Sequence, residues 1–180
     1  QRERLHREVE IAREVQLRLL PKKQPLIEGL DYSGACRPAQ LIGGDYYDYI
    51  ATPSGHTAFA IGDISGKGIP AALLMSNLQA SLRGLTLAGI TDLRDLLAKL
   101  NQLVYDSTTA NRFATFFYVL YHPPTRQVIY SSAGHNPAAL LRAGADHVEW
   151  LRTKGIALGL KRIAAFEQAE FTLAPGDILV

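Results

Sequence analysis

One cysteine, one methionine and one tryptophan are present among 180 residues. The lone Cys36 excludes an internal disulfide and any zinc site built from several thiolates, and it fits a reducing compartment, so the expected location is cytoplasmic. No C-x-x-C spacing marks Cys36 as a reactive thiol, and it reads as packing. Long apolar runs are lacking too: the longest uncharged stretch, around Ala71–Leu82, is interrupted by Ser76, Asn77, Gln79 and Ser81 and is too short to span a bilayer. No basic block exists. Nineteen Lys and Arg against seventeen Asp and Glu give +2, spread along the chain, which excludes the electrostatic footprint of a nucleic-acid binder. No internal repeat, low-complexity tract or signal peptide is visible in these residues, and Gln1 opens inside a charged helical pattern, so the chain is expected to continue upstream.

What is there suits one core with an appendage: 47% hydrophobic and 20% charged residues. Leu5, Val9, Ala12, Gln16, Leu19 and Leu20 share one helical face that ends at Pro21. Two readings stand for this helix, one lying on its own domain and one a coiled-coil connector weakened by Gln16 at a seam position. Pro21, Pro25 and Gly29 mark a linker, setting expected limits of 1–24 for the linker helix and 25–180 for the domain. Strands are expected at Leu30–Arg37, Tyr46–Ile50 and Thr57–Ile61. Pro70 opens a helix over Ala71–Leu82 that ends near Gly84, and Thr91 caps a second helix running to about Ser107. Strands resume at Phe113–Tyr121, Gln127–Ser132, Ala138–Arg142, Val148–Leu151, Phe166–Leu173 and Asp177–Val180. Strands, paired helices, then strands define an α+β, mainly antiparallel layering, not a doubly wound parallel sheet.

Two aspartates stand in glycine-flanked motifs, Gly43-Gly44-Asp45-Tyr46-Tyr47-Asp48 and Gly62-Asp63-Ile64-Ser65-Gly66-Lys67-Gly68. The one turn-rich stretch between them, Thr52–His56, is centred on Ser54, midway between Asp45 and Asp63. Equal hairpin arms make these aspartates cross-strand partners, with Cβ atoms roughly 4.5–5.5 Å apart. Two carboxylates that close repel unless one is protonated or a cation lies between them, and a hard divalent cation is the natural resolution. The glycines let the chain leave the strand and bring main-chain carbonyls, such as that of Ile64, near an ion. Asp48 lies an odd number of positions from Asp45, so strand alternation sends it to the other face, as a structural or second-sphere group.

Competing motifs fall away. Gly66–Ala71 matches a loose G-x-G-x-x-A, but a second helix follows where a dinucleotide fold needs a parallel strand. Lys67 precedes Gly68, not the Ser or Thr of a P-loop. Ser131 and Ser132 near His135 lack both a G-x-S-x-G elbow and an orienting acid, and read as a polar turn between strands.

The motifs Gly-Gly-Asp-Tyr-Tyr-Asp at 43–48, Gly-Asp-Ile-Ser-Gly-Lys-Gly-Ile-Pro-Ala-Ala-Leu-Leu-Met at 62–75, Phe-Ala-Thr-Phe-Phe-Tyr at 113–118, Ala-Gly-His-Asn-Pro at 133–137, Ala-Leu-Gly-Leu at 157–160 and Pro-Gly-Asp-Ile-Leu-Val at 175–180 occur in that order. Together they resemble the SpoIIE/RsbU-like bacterial branch of the PPM-type serine/threonine protein phosphatases. The resemblance implies a β-sandwich flanked by helix pairs, two Mn²⁺ or Mg²⁺ ions, and an ion-bound water that attacks phosphoserine or phosphothreonine. It implies Asp45 and Asp63 as metal ligands and catalytic residues, and Ile64 as a backbone-carbonyl ligand. Arg37 and Lys67, close to these motifs in sequence, are candidate phosphate contacts, with Asp48 a second-sphere candidate. The implied substrate is a phosphorylated anti-anti-sigma-like STAS protein; the charged helical opening adds an expected upstream sensory domain in the same chain, and the coiled-coil reading of that helix adds a second copy as a partner. Such proteins continue past the Gly-Asp-Ile-Leu-Val strand into further metal aspartates, so part of the ligand set is expected beyond Val180; Asp177 fills the Pro-Gly-Asp turn and does not replace it. The alternative is a catalytically silent domain of the same fold that binds a regulatory partner.

Overall fold

The computed structural model describes residues 2–37, 41–108 and 112–180. A first helix, α1 (Arg2–Leu19), is followed by a hairpin of β1 (Tyr46–Ala51) and β2 (Thr57–Ile64). Two helices come next, α2 (Ile69–Leu87) and α3 (Leu93–Ser107), and then β3 (Ala114–His122), β4 (Gln127–Ala133), β5 (Ala138–Leu141), β6 (Val148–Leu151), β7 (Ala169–Thr172) and β8 (Ile178–Leu179). The strands form a five-stranded sheet in the order β1-β2-β3-β4-β7 and a three-stranded sheet in the order β6-β5-β8. Every ladder is antiparallel, as the α+β reading expects.

Strand alternation divides the apolar residues between two cores. On one face of the large sheet Tyr46, Ala58, Ala60, Phe116, Tyr118 and Leu120 meet Leu74, Leu78 and Leu82 of α2 and Leu96, Leu97 and Leu100 of α3. Each fully buried leucine contributes about 1.5–3 kcal/mol relative to exposure. On the other face Phe117, Val119, Tyr121, Val128 and Tyr130 pack against Leu140 and Leu151 of the small sheet. The layers are therefore helices, large sheet, small sheet, with one helix pair among the described residues.

Four expectations change. Leu30–Arg37 is not a strand; it holds one isolated bridge, Ile27 with Leu30, and then irregular backbone. Tyr32 instead lies over the sheet face, edge-on to Tyr49 and Phe59 with ring centroids at 4.8 and 5.1 Å, which gives the same alternating pattern without edge pairing. Helix α2 runs through Gly84 and stops only at Ala88 and Gly89, whose N–H groups cap the carbonyls of Gly84 and Thr86. Its buried apolar face outweighs the cost of about 1 kcal/mol for one interior glycine. The cap of α3 is Asp92, one residue later than expected, its carboxylate accepting from the Arg94 N–H. The 166–173 stretch is shorter as a strand, Ala169–Thr172, because Phe166 turns into the helix-side core.

Helix α1 has two regimes. Ile11 and Val15 are more than half exposed, while Gln16 is buried and Leu19 and Leu20 pack against the helix-side core. The Leu5 side chain, part of the expected seam, lies outside the described residues.

Candidate active site

The β1–β2 register pairs Tyr46 with Gly62 and Tyr47 with Ile61, so its next step sets Asp45 across from Asp63. The turn that fixes it spans Thr52–His56, closed by Thr52 N–H to the His56 carbonyl at 2.9 Å and Gly55 N–H to the Thr52 carbonyl at 3.1 Å. Asp45 stands just before β1 and Asp63 within β2, both exposed. Partial burial pushes the Asp45 carboxyl above its ordinary value, and the negative charge of Asp63 pushes it in the same direction.

Glycine makes the approach possible. A Cβ on Gly44 would lie 2.8 Å from both the Cβ and the carbonyl oxygen of Ile64. Without that atom the Gly43–Asp45 segment lies against the end of β2, and the Ile64 N–H donates to the Gly44 carbonyl at 3.3 Å. Gly66 and Gly68 both have positive φ, 93° and 74°, turning the chain from β2 into α2.

Around the pair opens a cleft of about 200 Å³ lined by Ala35, Cys36, Arg37, Tyr47, Ile61 and His135 as well as by Asp45 and Asp63. Arg37 thus lines the same cleft as the carboxylates; Lys67, exposed on the loop after Gly66, is not among the lining residues. Asp48 is corrected in one of its two possible roles. It is fully buried on the helix side, where its carboxylate accepts from Tyr46 Oη at 2.8 Å and from Arg83 Nε and Nη2 at 2.7 Å each. Facing away from the cleft, it is not placed to meet a phosphate there; it ties α2 to β1.

Sequence reasoning missed His135. Its Nδ1 is hydrogen-bonded to Thr115 Oγ1 at 2.9 Å, and burial lowers its imidazole pKa while the Asp63 charge opposes that shift. Ser132 Oγ meets the backbone of His135, not the ring, so these two residues form no serine–histidine dyad. The Gly-His-Asn-Pro run was the available signal, but only the pairing of β3 with β4 carries that turn to the aspartates. Cys36 lines the same cleft, its thiol pushed up by burial and by Asp45. Asp177 stays in its turn, accepting from the N–H groups of Ala143 and Ala174 and from Arg142.

Two opposed carboxylates suit a hard cation; the Ile64 carbonyl lies beside Gly44, and Ile64 is not among the residues that line the cleft. Among the described residues no group of three His, Cys, Asp or Glu side chains is gathered to hold an ion.

Comparison with known proteins identifies the fold and the family. The SiaA PP2C domain of Pseudomonas aeruginosa superimposes with a TM-score of 0.78 over 99% of this chain and 71% of that one, at 21% identity. The RsbU and RsbW domains of a Mycobacterium tuberculosis protein superimpose with a TM-score of 0.67 over 78% of this chain and 39% of that one, at 26% identity. The fold is thus that of a PP2C-type, or PPM, phosphatase domain. A family model described as stage II sporulation protein E matches residues 53–180. The chain belongs to this SpoIIE family, within the SpoIIE/RsbU-like branch of the PPM phosphatases. Phosphoserine phosphatase RsbU of Bacillus subtilis is 36% identical over 173 residues, covering 96% of this chain. The chain spans 51% of that relative's length. No helix among the described residues is long and apolar enough to cross a membrane.

Proposed function

We propose that the protein is a metal-dependent phosphoserine/phosphothreonine protein phosphatase whose cation site is built on Asp45 and Asp63, with the Ile64 carbonyl as a third oxygen donor. The observation that carries this is the forced approach of two carboxylates across a glycine-shaped hairpin end, beside a cleft open to a protein substrate. When bound, Mn²⁺ or Mg²⁺ supplies a Lewis acid that makes water nucleophilic near neutral pH and offsets charge on the phosphoryl oxygens, so no protein nucleophile is needed. Arg37, on the cleft wall, attracts the phosphate dianion, while His135, held by Thr115, presents a fixed polar surface beside it. Lys67 remains available only from the loop.

Kinship to RsbU supports a phosphorylated STAS-type anti-anti-sigma regulator as substrate. Residues 1–24 then serve as a regulatory helix between a sensory domain and the phosphatase domain at 25–180, with the exposed Ile11 and Val15 available to a second copy. The test is to incubate the full-length protein with a phosphorylated STAS-domain regulator, with and without Mn²⁺, and follow the phosphoprotein on a phosphate-affinity gel. Mn²⁺-dependent loss of phosphoserine is expected. A second reading, a silent domain that binds the regulator, draws on the lack of a third clustered ligand among the described residues; it predicts complex formation with the phosphate retained.

A further inference from the structure

Gln16 is the polar member of the otherwise apolar line on α1, yet it is only 9% exposed. Its Nε2 donates to the Gly43 carbonyl at 2.6 Å, and its Oε1 accepts from the Gly43 N–H at 3.1 Å. A primary amide carries a donor and an acceptor side by side, so it pairs with both backbone groups of one residue as a neighbouring strand would. Leucine or methionine would pack against Met75 and Leu20 without the cost of desolvating an amide. Packing alone therefore does not account for glutamine here; the Gly43 backbone does.

Gly43 stands two residues before Asp45. Gly44, between them, is held from the opposite side by the Ile64 N–H. The segment that delivers Asp45 is thus suspended between α1 and the end of β2. We infer that Gln16 is a positioning residue that sets Asp45 opposite Asp63, so that loss of its amide clamp lowers the cation affinity of the site. This inference rests on the reading of Asp45 and Asp63 as cation ligands. The seating itself is local, since Gln79 of α2 donates to the Leu19 carbonyl at 3.4 Å and Leu19 and Leu20 pack below, whereas Ile11 and Val15 stay exposed. A displacement of the last turns of α1 breaks the amide clamp at the cost of the contacts that Leu19 and Leu20 make with the helix-side core.

The test uses Gln16→Met in the full-length protein, which keeps length and flexibility but removes both hydrogen bonds. Without metal, amide hydrogen exchange read by NMR should speed at Gly43 by about tenfold or more while β2 and β3 amides stay unchanged. In calorimetric titration Mn²⁺ affinity should fall by about 10–100-fold, the range for groups that hold a ligand in place. At saturating Mn²⁺, kcat should largely recover and KM for the phosphoprotein should not move. Three results overturn the inference: unchanged Gly43 exchange, unchanged Mn²⁺ affinity, or a rise in exchange throughout β2 and β3 that marks general destabilisation. Asp63→Asn, titrated in parallel, separates the two claims. If Asp63→Asn loses Mn²⁺ while Gln16→Met binds like wild type, the clamp alone fails; if Asp63→Asn binds like wild type, the cation reading fails and takes the clamp with it.

Discussion

Asp45 and Asp48 sit three residues apart at the start of one strand and meet opposite fates. Asp48 is fully buried, yet each of its oxygens is satisfied, in a two-pronged pair with Arg83 and a bond from Tyr46. Asp45 is more exposed, yet it faces another carboxylate, and its proton affinity is raised by burial and by that neighbour. The first arrangement is a buried charge neutralised by its own protein. The second is a repulsion left open where water and ligands reach it. Period-two alternation separates them: an odd spacing sends one aspartate to the helix side and the other to the cleft.

Breaking the unsatisfied side should have the largest effect on activity. Asp45→Asn and Asp63→Asn each delete a charged ligand, and phosphatase activity of the full-length protein should fall by about 100-fold or more, beyond the roughly 10–100-fold typical of outer partners. Without metal neither variant should lose stability, because each removes one member of a like-charged pair. Steady-state rates and thermal unfolding in the presence of a chelator check both halves. Near wild-type rates would sink the ligand assignment.

The satisfied side should break the other way. Arg83→Met leaves the Asp48 carboxylate buried without its cation, and breaking a buried pair from one side costs about 3 kcal/mol or more. Arg83 is 41% exposed, so water screens the pair from the Arg83 side and the expected loss is about 3 kcal/mol, the lower end of that range. Urea unfolding should show this loss, while kcat per folded molecule stays within about threefold of wild type, since Asp48 does not face the cleft. A selective loss of activity would show that the two faces are coupled.

This contrast was legible in the sequence for Asp45, Asp63 and Asp48, because a hairpin with one clear turn and strict alternation obeys local rules. Arg83 was not legible as the partner of Asp48: it lies 35 residues away, on a helix whose angular position only packing determines. His135 reaches the aspartates through the β3–β4 ladder and Thr115, contacts that no local pattern encodes. Tyr32 misled because aromatic alternation is the same whether a segment pairs with a sheet edge or lies across its face. Gln16 was legible only as a flaw in an apolar seam, and its purpose appears once Gly43 is beside it.

Metal sharpens the comparison by acting on one side only. At a Mn²⁺ concentration about 100 times its Kd, binding to the native state alone should add about 2.7 kcal/mol of stability. Asp63→Asn should abolish the resulting rise in thermal midpoint, Arg83→Met should keep it, and a chelator should reverse it. A rise surviving in Asp63→Asn would place the ion elsewhere.

The smallest expected effect concerns a third carboxylate that, like Asp48, is satisfied by its own fold. Asp177 accepts from the N–H groups of Ala174 and Ala143 and from Arg142, and these bonds hold its pKa down to about 2. A carboxylate in an unfolded chain titrates near about 3.9. Because the folded value is the lower one, the stabilisation is fully present above about pH 4 and is lost as pH falls toward about 2. Asp177→Asn keeps one acceptor oxygen but loses the charge, so its thermal midpoint should lie below wild type at pH 7, with the gap closing between about pH 4 and about pH 2. The result should not depend on Mn²⁺, since Asp177 is bound within its own turn. A gap that stays constant with pH would mean that the hydrogen-bond geometry, not the charge, is what the turn requires, and a gap that changes with Mn²⁺ would move Asp177 to the unsatisfied side of the comparison.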